Sequence, residues 1–168
     1  MTSPDPPFDP RAVLSALERE YVAYVLIGGL ARVLRGTDET TSGVDVCPSV
    51  RADNFQRLER ALTSLGIEGD VPSQATLQTP EPVTLNTPGG IVKVACEPAG
   101  TRKGYEDLRR GATREHLGRG LRPNIASVAD LARMAAALGR DQDLARLPEL
   151  RRILELEITL QRELGRER

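Results

Sequence analysis

The sequence predicts an α/β (α+β) protein in which a sheet flanked by helices is followed by a helical C-terminal part. Three observations carry that expectation. Tyr21 to Ile27 (YVAYVLI) is a continuous β-branched and aromatic run of strand length, closed by Gly28-Gly29 and followed by a helix-like LARVLRG. A second strand-like stretch, VDVC at Val44 to Cys47, precedes a second amphipathic helix and completes a strand-helix-strand-helix opening. From Ser127 onward, apolar residues recur at helical spacing with no strand signal.

Composition bounds the class. At 168 residues the chain has the length of one domain with room for a small appended helical part. Aromatic residues make up only 3% and Trp is absent, so the core must be built from Leu, Val, Ile and Ala. The formal charge of -1 offers no general attraction to nucleic acid or to an anionic membrane. The exception is Thr101 to Arg122, where Arg102, Lys103, Arg109, Arg110, Arg114, Arg119 and Arg122 outnumber three acidic residues. That segment is either a solvated helix surface or a patch for a polyanion. Cys47 and Cys96 lack CxxC or Cys/His spacing and lie in apolar runs, as buried free thiols of a cytoplasmic protein would. The opening MTSPDPPFDP has neither a positive charge nor an apolar stretch, so no secretory signal or membrane anchor is expected.

Each element has a local cause. The first ten residues, with four prolines and two aspartates, predict an extended arm over 1–9. Asp9 is placed to cap a helix starting at Pro10, with Val13, Leu14 and Leu17 as its apolar side. After the buried strand and the Gly28-Gly29 turn, Asp38 to Ser42 are all polar loop formers. In VDVC, Val44 and Val46 point one way, Asp45 and Cys47 the other. Pro48 ends that strand, and a helix from about Arg51 to Leu65 gathers Phe55, Leu58, Ala61, Leu62 and Leu65 on one face before Gly66.

Glu68 to Pro82 show no period and read as a loop or an irregular edge. PVTLNT and IVKVACEP flank Pro88-Gly89-Gly90 as a hairpin, and GYEDLRRGA reads as a short helix. Ser127 caps VADLARMAAALG, with Asp130 completing a capping box and Gly139 as the stop. A last helix starts at Asp141, broken or kinked near its start by Pro148, and carries Leu144, Leu147, Leu150, Ile153, Leu154, Leu156, Ile158 and Leu160. The organisation expected is an arm (1–9), a core (10–126) and C-terminal helices packed on that core (127–168).

VLIGGLARVLRG followed by TTSGVDV resembles the nucleotidyltransferase superfamily, and within it the small branch of AbiEii-type toxins and minimal nucleotidyltransferases. Gly28-Gly29-Leu30-Ala31 stands where that branch has a Gly-Gly-x-Ala helix opening. Thr41 and Asp45 fall in the frame of its Arg-x-Thr-x-Asp-x-Asp strand, and NFQRLERAL follows as its next helix. TPGGIVKVACEPAGTRKGYEDL resembles its hairpin and following loop, and VADLARMAAALGRDQDLARLPEL its Leu-rich ending. The resemblance runs from about Tyr24 to Leu150 and implies a mixed β-sheet flanked by helices.

It also implies a chemistry. Nucleotidyl transfer is an in-line displacement at phosphorus in which Mg²⁺ bridges the triphosphate, held by carboxylates at i and i+2 of one strand and a third from a neighbouring strand. The glycine turn lets backbone N–H groups approach the phosphates. On this sequence the second carboxylate is Asp45, but the first position is Gly43 and the third is Lys93. The Arg preceding Thr41 by two is Glu39, and the Lys expected in the C-terminal helix is Ala135, whereas Arg140 and Asp143 match the trailing Arg and Asp.

The resemblance therefore implies a catalytically degenerate member. Asp45 would be a remnant of the catalytic set, Gly28, Gly29, Thr41 and Arg140 would bind nucleotide, and neither metal nor cofactor would be held. Lys93 would neutralise Asp45 as an internal ion pair. Such a protein would act by binding a protein, nucleotide or RNA partner, with an antitoxin or a second copy of itself among the possibilities and no membrane association. The alternative is an active toxin-type transferase of a toxin-antitoxin system, using Mg²⁺ and an NTP to modify tRNA or protein, with Asp38, Glu39 or Glu97 as replacement ligands. Plainer readings stand beside these. Gly28-Gly29 is also read as a turn needing positive φ, Asp45 as a solvated or salt-bridged strand residue, His116 as exposed, and Arg140 with Asp143 as a local pair.

Overall fold

The computed structural model describes residues 7–166. Most of the expected arm, residues 1–6, lies outside the described residues. Asp9 donates its N–H to the Gly89 carbonyl (2.7 Å), which ties the chain's start to the hairpin.

Helix α1 (Pro10–Arg19) begins as its capping chemistry dictates: the Asp9 side chain accepts from the Ala12 N–H, and Val13, Leu14, Ala16 and Leu17 are buried. Strand β1 (Tyr24–Ile27) is buried along its length. It starts later than the apolar run suggested, because the chain turns at Tyr21, which has φ 55 and is exposed. Helix α2 (Gly28–Arg35) follows directly, then β2 (Gly43–Pro48), which includes the proline, and α3 (Ala52–Ser64).

The expected loop over Glu68–Pro82 contains one helical turn, α4 (Gln74–Leu77), capped by Ser73 and anchored by buried Leu77. Four residues are too few to show a period. The hairpin is β3 (Val83–Thr87) and β4 (Gly90–Val94), which stops short of the expected Pro98. Helix α5 (Tyr105–Leu108) is a single turn, shorter than expected. Strands β5 (Thr113–Arg114) and β6 (Asn124–Ile125) carry no sequence signal at two residues each. Helix α6 (Val128–Leu138) has Ser127 as its cap and ends at Gly139 with φ 67. The chain then breaks into α7 (Asp141–Leu144) and α8 (Leu147–Arg166), with Pro148 at the second position of α8, where its missing N–H has no partner to lose.

The sheet is mixed, in the order β3-β4-β2-β1-β6-β5. Strand β2 runs antiparallel to β1 and parallel to β4, while β6 joins the other side of β1 in parallel. This register sets Asp45 between Ile27 on β1 and Lys93 on β4. The core is aliphatic, with Leu14, Leu17, Leu26, Leu58, Leu62 and Ile125 fully buried. Of the apolar positions expected along the last helix, Leu150 is buried and Ile153 and Leu154 partly so, but Leu144, Leu156, Ile158 and Leu160 are exposed. The second half of α8 therefore extends past the core. Among the described residues, no helix is long and apolar enough to cross a membrane.

Candidate functional site

The site is built where β1 ends and α2 begins. Gly28 has φ 72, and a Cβ placed on it would coincide with the Asp45 carboxylate. Antiparallel pairing of Ile27 with Asp45 brings the turn over that side chain. Gly29 is also packed, since its Cβ would lie 3.1 Å from Thr41 Oγ1. No side chain caps α2. Its first N–H groups, carrying the positive end of the helix dipole, are left for an anion.

Around this turn lies a cleft of about 680 Å³, bounded by the loop from Asp38 to Gly43 and by Arg32, Asp45, Lys93, Arg140, Asp143 and Arg146. It continues into an inner chamber of about 280 Å³ walled by Pro82, Ala95, Pro98, Leu131, Met134 and Leu138. Gly29, Arg32, Asp45, Lys93, Arg140 and Asp143 belong to both chambers. The junction is thus charged and the inner wall apolar.

Two of the four carboxylates that line the outer chamber, Glu39 and Asp143, are already engaged. Arg32 donates to both Glu39 oxygens, at 3.0 Å from Nε and 2.9 Å from Nη2, and buried Thr37 adds a bond of 2.8 Å. Burial alone would raise the Glu39 carboxyl, but the Arg32 and Thr37 hydrogen bonds outweigh it and hold the group below the usual glutamate range. Asp143, fully buried, is bound by Arg140 and lies 3.7 Å from Arg32 Nη1. Arg146 donates to the Asp38 carbonyl (2.8 Å) and pairs with Glu149 (2.9 Å), which accepts the Asp38 N–H (2.8 Å). These bonds clamp the loop to α8.

Asp45 is different. Burial pushes its carboxyl above the usual aspartate range, and Lys93, Arg32 and Arg140 pull it down without cancelling that rise. The expected Lys93–Asp45 ion pair is not formed within 4.0 Å, although the residues are neighbours in register. The carboxylate is tucked under the Gly28 turn on the β1 side, while Lys93 rises from β4 on the other. Gly43 is equally informative: a Cβ there would stand 3.0 Å from the Ile91 carbonyl oxygen. The neighbouring strand has closed over the place where a ligand side chain would start.

These residues do not fit the Mg²⁺ site that the resemblance implies. Among the described residues, no group of three His, Cys, Asp or Glu side chains is placed to hold a metal. Glu39 and Asp143 are bound to guanidinium groups, Asp38 stands exposed at the rim, and Glu97 does not line either chamber. One buried carboxylate beside an ammonium is a poor set for a hard cation. Lys93 and Arg140 instead line the same chambers as Gly29 in the uncapped first turn of α2, so positive charge gathers there.

No protein-family model matches the chain, and no curated protein is similar to it. Solved structures are. The crystal structure of a presumptive nucleotidyltransferase from Thermotoga maritima aligns with 95% of this chain and 91% of its own, with a TM-score of 0.54 and 19% identity. The fold is that of a nucleotidyltransferase. The solution structure of the antibiotic-resistance factor ANT(2'')-Ia covers 95% of this chain and 96% of its own, at a TM-score of 0.47 and 11% identity. At 19% identity the likeness to the Thermotoga maritima protein is one of fold alone.

Within the nucleotidyltransferase fold, the five residues singled out from the sequence meet at this cleft: Gly29, Thr41, Asp45 and Arg140 line the outer chamber and Gly28 the inner one. Ala135 is buried in the inner wall, and His116 is exposed elsewhere. Sequence reasoning missed Arg32 and Arg146. Arg32 lies one helical turn beyond Gly28, a spacing that places it over the same mouth.

Proposed function

We propose that this protein holds a nucleotide in the two-chamber cleft without transferring the nucleotidyl group. One observation carries the reading. Asp45 has Gly43 two residues before it and Lys93 beside it on β4, so one carboxylate and one ammonium stand where the fold's transferases need a carboxylate cluster. The phosphates would lie along Lys93, Arg140 and the α2 N-terminus, and the base against Leu131 and Met134. Such a cradle neutralises a bound triphosphate. It offers no carboxylate pair to align an attacking hydroxyl, so it has little to add as charge develops in a transition state.

The test is titration calorimetry with each of the four NTPs, with and without Mg²⁺, followed by a pyrophosphate-release assay with bulk tRNA. Metal-independent binding without release is expected. Lys93→Ala should weaken it by roughly tenfold or more, the loss of one charge-assisted hydrogen bond. Asp45→Ala should stay folded and bind at least as well as the parent chain. Absence of binding overturns the proposal.

A second reading is favoured by the carboxylates of Asp45 and, at the rim, Asp38, neither of which has an ion-pair partner among the described residues. They would serve an active toxin-type transferase acting on tRNA or protein and restrained by an antitoxin. Metal-dependent binding with pyrophosphate release, lost in Asp45→Ala, would establish it in place of the first.

A further inference from the structure

At the other end of β1 from Gly28 lies a second pocket, of about 370 Å³, lined by Glu18, Tyr21, Tyr24, Tyr105, Arg114 and Arg122 among others. Its volume falls in the range of small-molecule sites. Tyr24 is only 5% exposed, and its hydroxyl is the one buried side-chain polar atom among the described residues without a hydrogen-bond partner. That hydroxyl feels burial first, then Glu18 and Arg114, both of which line the same pocket. A buried hydroxyl left unpaired costs free energy, and a native protein that retains one asks for a missing partner.

Three further features converge there. Tyr21 is 81% exposed, although aromatic residues are scarce in this chain. Tyr21 and Arg119 are the only non-glycine residues with positive φ among those described, at 55 and 52, and Arg119 adjoins the pocket residue Gly120. Arg114 and Arg122 are exposed, and neither guanidinium has an ion-pair or hydrogen-bond partner among the described residues. The Arg122 N–H is held by Glu18 (2.8 Å), and Arg114 is fixed by its pairing with Asn124 across β5 and β6. Edge strand β5 and the turn that leads into β6 thus place Arg114 and Arg122 at the pocket.

We propose that this pocket binds a nucleotide unit of single-stranded RNA. Its phosphate meets Arg114 and Arg122, its base stacks on Tyr21, and a polar edge of the base pairs with the Tyr24 hydroxyl. An unpaired base is required, because a duplex buries the face that Tyr21 would cover. A strand is favoured over a free mononucleotide because the segment that carries Tyr105, Arg114 and Arg122 holds further cations. Arg102, Lys103, Arg110 and Arg119 also lack ion-pair partners among the described residues, as a backbone of repeated phosphates would use them.

The experiment is fluorescence anisotropy with fluorescein-labelled oligouridylate and oligoadenylate over a range of salt. Binding should weaken with salt, and R114Q combined with R122Q should lower affinity and reduce the log–log salt slope by about 0.7, the share of the one phosphate they hold. Tyr21→Asn, which tolerates positive φ, should weaken binding about fivefold or more through lost stacking. Tyr24→Phe should weaken binding while raising the melting temperature, a combination that a merely structural hydroxyl would not produce. Lys93→Ala should leave this binding unchanged, which separates it from nucleotide binding in the cleft. No anisotropy change, or full affinity in the R114Q/R122Q and Tyr21→Asn variants, overturns the site. Equal binding of duplex RNA, or displacement by UMP or AMP at the same nucleotide concentration, overturns the single strand as its ligand.

Discussion

The Asp45 carboxylate lies where a side chain on Gly28 would begin. Glycine is required at 28 twice over, by its φ of 72 and by that carboxylate. Gly28→Ala should cost about 2–4 kcal/mol, combining a left-handed alanine with an overpacked contact. Removing the carboxylate removes the worst of the contact and leaves the Cβ of residue 45 at 3.0 Å. In an Asp45→Ala background the same change should cost the backbone part and a small residual contact, so urea unfolding of the two single variants and the double variant should show clear non-additivity.

Asp45 itself makes stability depend on pH. Because burial raises its folded pKa above the unfolded value, folding favours the protonated form. The group's destabilising effect is absent in acid, grows as pH rises from the unfolded value (about 4) through the folded one, and is constant beyond. Asp45→Asn should therefore be more stable than the parent at neutral pH, and the gain should vanish below about pH 4. Denaturant titrations across that range measure it.

Arg32 answers two carboxylates from helix α2, Glu39 in the loop and Asp143 in α7. Arg32→Ala should cost about 3 kcal/mol at neutral pH, since it leaves partly buried charge without its partner. The Glu39 pKa is depressed, so its share is present above the ordinary glutamate pKa and is lost as pH falls through the folded value. The gap between variant and parent should narrow in acid.

Gly43 and Lys93 make different demands. Gly43→Asp should cost about 1–3 kcal/mol, because the Ile91 carbonyl oxygen must move from 3.0 Å. Lys93 is only partly buried and opens on both chambers, so Lys93→Asp should fold and set a carboxylate beside Asp45. Manganese titration followed by electron paramagnetic resonance should show weak binding, roughly millimolar, in that variant and none in the parent.

Cys47 and Cys96 are buried free thiols, both pushed up by burial, Cys96 to about 11. Neither offers thiolate at pH 8. Native protein should resist a disulfide exchange reagent and titrate two thiols only in denaturant.

The sequence alone settled what neighbours within a few residues decide. Asp9 before Pro10, Ser127 three before Asp130, and Gly139 after Leu138 bound their helices because caps satisfy backbone groups locally. Alternation in VDVC placed Asp45 opposite the buried valines, and Gly28-Gly29 marked the turn. The strands β5 and β6 stayed hidden because two residues hold no period, and Tyr21 misled because an apolar run does not say where the chain must turn. Three facts were left to the tertiary structure: that Arg32 reaches both Glu39 and Asp143, that Lys93 stands beside Asp45 without pairing to it, and that the Tyr24 hydroxyl is buried alone among two arginines and a glutamate. Strand order and helix packing bring such side chains together from distant parts of the chain, and no local propensity encodes their distances.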